Sequence, residues 1–278
     1  MTLVSLTVAL AETKRRGGAL AAFNVIQIEH AEAYAAAAAQ TDLPVVMQIS
    51  ENCVRYHGAL KPIGLAALAI AEAAPQPVVV HLDHAEDTAL VDQAVELGFT
   101  SVMFDGSRLP DARNRLETAA VVARCHAAGV TVEAELGEVG GKDGVHAPGV
   151  RTDPHDAARF VADTGVDALA VAVGSSHAMV DRVAVLDNEL IAQLAAQVPV
   201  PLVLHGSSGV PDDGLVAAVR AGMAKVNIAT HLNHVFTEAM VQRLTERPSV
   251  DTRRYLGAGR DAVATESARL MRMLALHD

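Results

Sequence analysis

Eight times along this chain a short apolar run gives way to an alanine-rich stretch with helical spacing. That repetition limits the fold more than any single motif does. The runs are "ALAAFN" (19–24), "PVVMQIS" (44–50), "VVVHLD" (78–83), "SVMFD" (101–105), "TVEAEL" (131–136), "ALAVAVG" (168–174), "PLVLHG" (201–206) and "KVNIAT" (225–230). Stretches such as 86–97, 111–128, 155–164 and 186–197 carry the helical spacing, and several close on a glycine just before the next run: "ELGFTSV", "HAAGVTV", "DTGVDAL", "RAGMAKV". Each unit reads as a helix, a glycine stop and a buried strand. Strands apolar on both faces that alternate with helices form a parallel sheet. Eight such units in 278 residues predict a (β/α)8 TIM barrel, one domain over 1–278. A doubly wound open sheet is the alternative. It usually has fewer units and often a glycine-rich turn after the first strand, where this chain has "NVIQIEH".

The polar residues favour the barrel, because they fall at strand C-termini: Asn24, Ser50, Asp83 and His84, Asp105, Glu135, His177, His205, Asn227 and Thr230. In a barrel these ends converge on one mouth. Three histidines there, His84, His177 and His205, suit a catalytic zinc site, although any one alone reads as a hydrogen-bonded barrel-mouth residue. His81 shares the face of Asp83 one layer deeper and reads as a packed support. Asp83 suits a general base, with a partner that orients a histidine as the other reading. Asp105 and Glu135 are candidates for supporting the ligands or for an alternate metal position. The turns "GSSHA", "HGSSGVP" and "NIAT" offer backbone N–H groups and hydroxyls for an anion. Of four lysines (Lys14, Lys61, Lys142, Lys225), none is expected at a strand C-terminus, and Lys225 is placed at the opposite face. A Schiff-base route thus lacks its nucleophile.

Composition excludes some partners. The charge of −11, with no Lys/Arg cluster, argues against nucleic acid and anionic membranes. No apolar run is long enough to span a bilayer, and the first residues read as an amphipathic helix with a glycine stop. Cys53 and Cys125 lie far apart outside any C-x-x-C pattern, which suits a reducing cytoplasm.

With "AFNV", "HLDH", "VEAELGEVGG", "AVAVGSSH", "PLVLHGSSGVPDD" and "KVNIAT" in this order, nearly the whole chain resembles the class II, metal-dependent ketose-bisphosphate aldolases. The resemblance implies a (β/α)8 barrel in a homodimer or homotetramer, with a phosphorylated ketose as substrate. It implies Zn2+ on His84, His177 and His205, with a monovalent cation as a further candidate. Asp83 would be the acid/base. Gly206, Ser208, Asn227 and Thr230 would hold the phosphate of the dihydroxyacetone phosphate half. Asn24 and Ser50 match positions near the substrate, Arg253 in "DTRRYLG" matches an arginine for the far phosphate, and Glu135 matches a glutamate near the metal. Cleavage between C3 and C4 would leave a zinc-stabilised enediolate.

The chain departs from that pattern in several places. The loop "GGKDGVHAPGVRTDP" is shorter than in the family and keeps only Asp143 in the stretch that often supplies an enediolate proton donor. Asp143 is the candidate donor, and an Asp-Gly turn with Gly144 is its other reading. This glycine-rich loop, Glu138 to Asp153, is expected to be mobile and to close over the mouth. Ala178 follows His177 where glycine is usual, so a backbone contact to phosphate or to the monovalent cation is open there. Ala229 stands where many fructose-bisphosphate enzymes have Asp, which is closer to the tagatose-type branch. In "ENCVRYHG", Arg55, Tyr56 and His57 either touch the sugar's far end or cap the barrel. Three functions remain: the aldolase, including one for a non-standard ketose phosphate; a sugar-phosphate-binding homologue with altered catalysis; and a metal-dependent hydrolase.

Overall fold

All eight expected strands form, and they close into a ring. The computed structural model describes residues 2–136, 151–176 and 181–276. The strands are β1 (Leu20–Asn24), β2 (Val45–Ser50), β3 (Val78–Ala85), β4 (Ser101–Phe104), β5 (Thr131–Leu136), β6 (Ala168–Val171), β7 (Leu202–Leu204) and β8 (Met223–Ile228). Each pairs in parallel with the next, and β8 pairs with β1 to close the barrel. The helices are α1 (Leu6–Arg15), α2 (Ile28–Thr41), α3 (Glu51–His57), α4 (Leu60–Ala73), α5 (Thr88–Leu97), α6 (Asp111–Ala127), α7 (Pro154–Thr164), α8 (Asn188–Gln197), α9 (Asp212–Ala221), α10 (Thr230–Glu246) and α11 (Thr252–Leu274).

The glycine stops work as their spacing implied. Gly98, Gly129, Gly165 and Gly222 all take positive φ, which lets each helix end and the chain turn into the next strand. One boundary differs from expectation. β8 starts at Met223, directly after Gly222, so Lys225 is a mid-strand residue rather than the start of the strand.

Two apolar clusters divide the core. The larger lies between the strands and the surrounding helices, among them Tyr34, Phe23, Phe104 and Phe160. The smaller fills the lower barrel with Leu20, Ala22, Val46, Val79, Ala168, Ala170 and Val203, and Leu6, Ala9 and Leu10 of α1 pack against it from below. Above this plug the inward positions turn polar, with His81, Glu133, His205 and Lys225 all at 0% exposure. A barrel interior is ordinarily layered with branched apolar side chains, so this polar layer has a specific use.

Candidate active site

The site begins with a break in strand alternation. Asp83 and His84 are consecutive, and in a regular strand their side chains would point to opposite faces. Here the β3–β4 register shifts between Leu82 and Ala85, and His84 takes φ 49°. That left-handed conformation costs a non-glycine residue about 1–2 kcal/mol. It turns His84 to the mouth, so both residues line one cavity of about 180 Å³ with Asn24, Gln48, Ser50, Asn52, Ser176, Gly206, Ser207, Ser208, Asn227, Ala229 and Thr230. These residues come from the C-terminal ends of β1, β2, β3 and β8, from the first turn of α3, and from the segments after β6, β7 and β8.

Asp83 is held through one oxygen. Its Oδ2 accepts from Asn24 Nδ2 at 3.1 Å and from Gln48 Nε2 at 3.4 Å, and Gln48 Nε2 also donates to Asn24 Oδ1 at 2.7 Å. Its Oδ1 is buried without a hydrogen-bond partner among the described residues. Burial works to raise the carboxyl pKa, but the positive fields of His84, His205, His81 and Lys225 outweigh it and hold the pKa below its usual value. The group therefore stays a carboxylate with one oxygen free to act.

His84 Nδ1 lies 2.7 Å from Asp105 Oδ2, and Asp105 Oδ1 accepts from the Ser107 amide and hydroxyl at 3.2 and 2.6 Å. The His84 and His205 rings meet edge to face at 4.7 Å. His205 Nε2 sits 2.9 Å from Glu133 Oε1, and Nδ1 sits 3.2 Å from Glu135 Oε2. Burial disfavours a charged imidazole there, but the bonds to the two glutamates prevail and push its pKa up to about 9. Burial likewise acts to raise the Glu133 pKa, and Lys225 and His205 overcome it and hold Glu133 far below the usual carboxylate range. His81 is the packed support expected of it. Its Nδ1 is 2.8 Å from Ser101 Oγ, and burial, with Lys225 next, lowers its pKa to about 3.

These donors fit a divalent cation. One atom each of Asp83, His84 and His205 lie within 4.8 Å of one another, and so do one each of His84, Asp105 and Glu135. Imidazole with carboxylate, backed by hydrogen-bonded acids, is the chemistry of a zinc-type centre. The first imidazole and the two acids Asp105 and Glu135 thus sit together, as their strand-end positions implied.

A profile of the family described as fructose-bisphosphate aldolase class-II matches residues 4–278. The chain belongs to that family. A fructose-bisphosphate aldolase from Geobacillus stearothermophilus is 37% identical over 268 residues, covering 95% of this chain and 93% of that protein. A probable fructose-bisphosphate aldolase from Bacillus subtilis (strain 168) is also 37% identical, over 95% of this chain and 94% of its own. Among solved structures, the YdjI aldolase from Escherichia coli K12 superposes with a TM-score of 0.85 at 29% identity, covering 98% of this chain and 97% of that one.

Of the residues expected in this class II aldolase site, Asn24, Ser50, Asp83, His84, Gly206, Ser208, Asn227 and Thr230 line one cavity. His205 lies just beneath, fully buried. His177 and Ala178, within 177–180, and Asp143, within 137–150 together with Lys142, lie outside the described residues. At its far end Thr152 is buried between β5 and β6, donating to Leu136 O at 3.2 Å and accepting from Ala172 N at 2.8 Å. Arg253 is not brought to the cavity. It stands in the first turn of α11 with its side chain 88% exposed, paired to Asp251 at 2.9 Å. On α3, Arg55 bonds Glu51 and Asn52, His57 Nε2 lies 2.7 Å from Ile26 O, and Tyr56 is 77% exposed. None of those three side chains lines the cavity, and Asn52 is the α3 residue that does.

Four site residues escaped the sequence reading: Gln48, Asn52, Glu133 and Lys225. Lys225 also corrects an expectation. It is not at the opposite face but inside the barrel, with Nζ 2.9 Å from Glu133 Oε2. Two of the four carried a legible signal, because Gln48 and Ser50, like Glu133 and Glu135, are two apart and share a strand face.

Gly206 is required twice over. Its φ is +65°, and a Cβ there would lie 2.6 Å from the Ser176 carbonyl carbon and 2.7 Å from its oxygen. Ser176 directly precedes His177. Gly206→Ala is expected to displace that segment and lower kcat/KM by roughly 10²-fold, the scale of about 1 Å misplacement, while circular dichroism stays unchanged. Parent-like kinetics would refute the constraint.

Proposed function

We propose that this aldolase cleaves a phosphorylated ketose, of fructose or tagatose type, to dihydroxyacetone phosphate and an aldehyde, working as a zinc-dependent homodimer or homotetramer in the cytoplasm. The observation that carries the reading is Asp83: a buried carboxylate that lines the cavity beside His84 and His205, with one oxygen tethered and the other without a hydrogen-bond partner among the described residues. A binding protein needs no such base. The names of the curated relatives point the same way. Ala229 puts a methyl group in the cavity wall where many fructose-specific enzymes carry Asp, and this favours the tagatose type.

In this reading His84, His205 and, by resemblance, His177 hold zinc, which when bound supplies the electron sink for cleavage beside a ketone. Asp83 Oδ1 takes the proton of the C4 hydroxyl as the C3–C4 bond breaks, and Asn24 and Gln48 keep Oδ2 from rotating into its place. Gly206, Ser208 and Thr230 receive the phosphate at the start of α10, where amides and the helix dipole favour an anion. There Ser208 Oγ accepts from the amides of Ala229 and His231, each at 3.3 Å. Asp143 is the proposed donor that returns a proton to C3.

A panel of ketose mono- and bisphosphates, coupled to triose-phosphate detection, tests this reading. Cleavage is expected for at least one sugar, abolished by EDTA and restored by zinc. Full turnover in the chelated protein, or an adduct trapped by borohydride, would overturn the metal-dependent route. An absence of triose phosphate across the panel would overturn the aldolase.

A further inference from the structure

Lys225 has no part in the chemistry just described, yet its placement is unusual. It is fully buried in the barrel interior, one inward step below Asn227 on β8. Its ammonium donates to Glu133 Oε2 at 2.9 Å and to Asn227 Oδ1 at 2.8 Å. Glu133 in turn holds His205 Nε2 through its other oxygen at 2.9 Å. One cation thus joins a β5 acid, a β7 histidine and a β8 amide.

The bond to Asn227 fixes more than a position. An asparagine amide has an acceptor end and a donor end of nearly equal size, and in isolation either could face the cavity. An ammonium group can only donate. Lys225 below therefore binds the carbonyl end, and the NH2 end is left toward the cavity that Asn227 lines. The Asn227 carbonyl of the main chain is also tied down, by the Ser207 hydroxyl. Lys225 thereby decides that the cavity floor presents a donor, which selects ligand oxygens that accept.

We propose that Lys225 is a positioning residue that orients the Asn227 amide so that it binds an oxyanion or hydroxyl oxygen of the ligand. Glu133 supplies the counter-charge that allows the ammonium to remain buried. This deepens the aldolase reading by assigning the donor that meets the dihydroxyacetone phosphate half. It is testable without turnover.

The test is a double-mutant cycle on ligand affinity in the zinc-loaded protein, with dihydroxyacetone phosphate and inorganic phosphate as calorimetric probes. Lys225→Met combined with Glu133→Gln removes the ammonium without stranding a buried carboxylate, and the melting temperature checks the fold. The pair variant is expected to weaken dihydroxyacetone phosphate binding by roughly tenfold or more, the cost of an unmet hydrogen bond to an anionic ligand. Asn227→Leu alone should cost about as much, and in the pair background about twofold or less, because contacting residues are not additive. Fully additive penalties, or parent affinity in the pair variant, would overturn the proposal. If the pair variant does not fold, Asn227→Asp carries the test. It keeps the shape and the Lys225 contact but turns an acceptor to the cavity, so affinity for either probe should fall by roughly a hundredfold. Parent-like affinity there would overturn the proposal. Tight phosphate binding with an intact cycle, but no cleavage of any ketose phosphate, would sink the aldolase reading and leave the Lys225 role standing. A parent that binds neither probe counts against both.

Discussion

Asp83→Ala is expected, in the zinc aldolase proposed above, to retain metal binding and lose cleavage by roughly 10²–10⁴-fold, the usual contribution of a positioned acid/base. The reason is in the hydrogen bonds. Asn24 and Gln48 occupy Oδ2, and among the described residues no side chain bonds Oδ1. His205→Ala should differ in kind, losing metal and activity together. Zinc per chain and initial rates, measured on the same preparations, separate the two variants. Near-parent turnover in Asp83→Ala would remove Asp83 from the role of base.

Glu133→Ala should give the largest loss of stability from any single site residue. It strips Lys225 and His205 of their shared partner in the fully buried barrel interior. Breaking one side of a buried ion pair costs about 3–5 kcal/mol. At that scale Tm falls by roughly 10 °C. Glu117→Ala, which removes the half-buried partner of the exposed Arg113, should stay within about 1 kcal/mol. Thermal unfolding of both variants decides the matter, and equal Tm values would show that the buried network contributes no more than a surface pair.

The barrel was legible because each unit announces itself: an apolar run, a helical stretch and a glycine that later proves to carry positive φ. The convergence of Asp83, His84, Asp105, Glu135 and His205 followed from their positions at strand ends. The local break at His84 did not follow. Adjacent residues in a strand part company, and only the register shift after Leu82 brings Asp83 and His84 to one cavity. The motif spacing puts Lys225 at the foot of β8, but the strand begins two residues earlier, at Met223, and this carries Lys225 up into the interior. Arg253 shows the opposite limit. Its match to a motif is clear, but in this chain its guanidinium bonds a neighbouring aspartate in solvent.

The network of charges inside the barrel also bears on how the protein reaches its native state. Glu133 is carried by β5, His205 by β7 and Lys225 by β8, so the charges pair across a barrel interior that is enclosed only when β8 docks on β1, about two hundred residues away along the chain. Any intermediate that collapses before this seam zips must either keep water in its centre or bury charges without partners, at several kcal/mol each. Half-built barrels are therefore penalised by the same side chains that lie beneath the cavity. Native-state hydrogen exchange should accordingly find the β1 and β8 amides opening together with those of β5, as one cooperative unit, and not as a fraying seam.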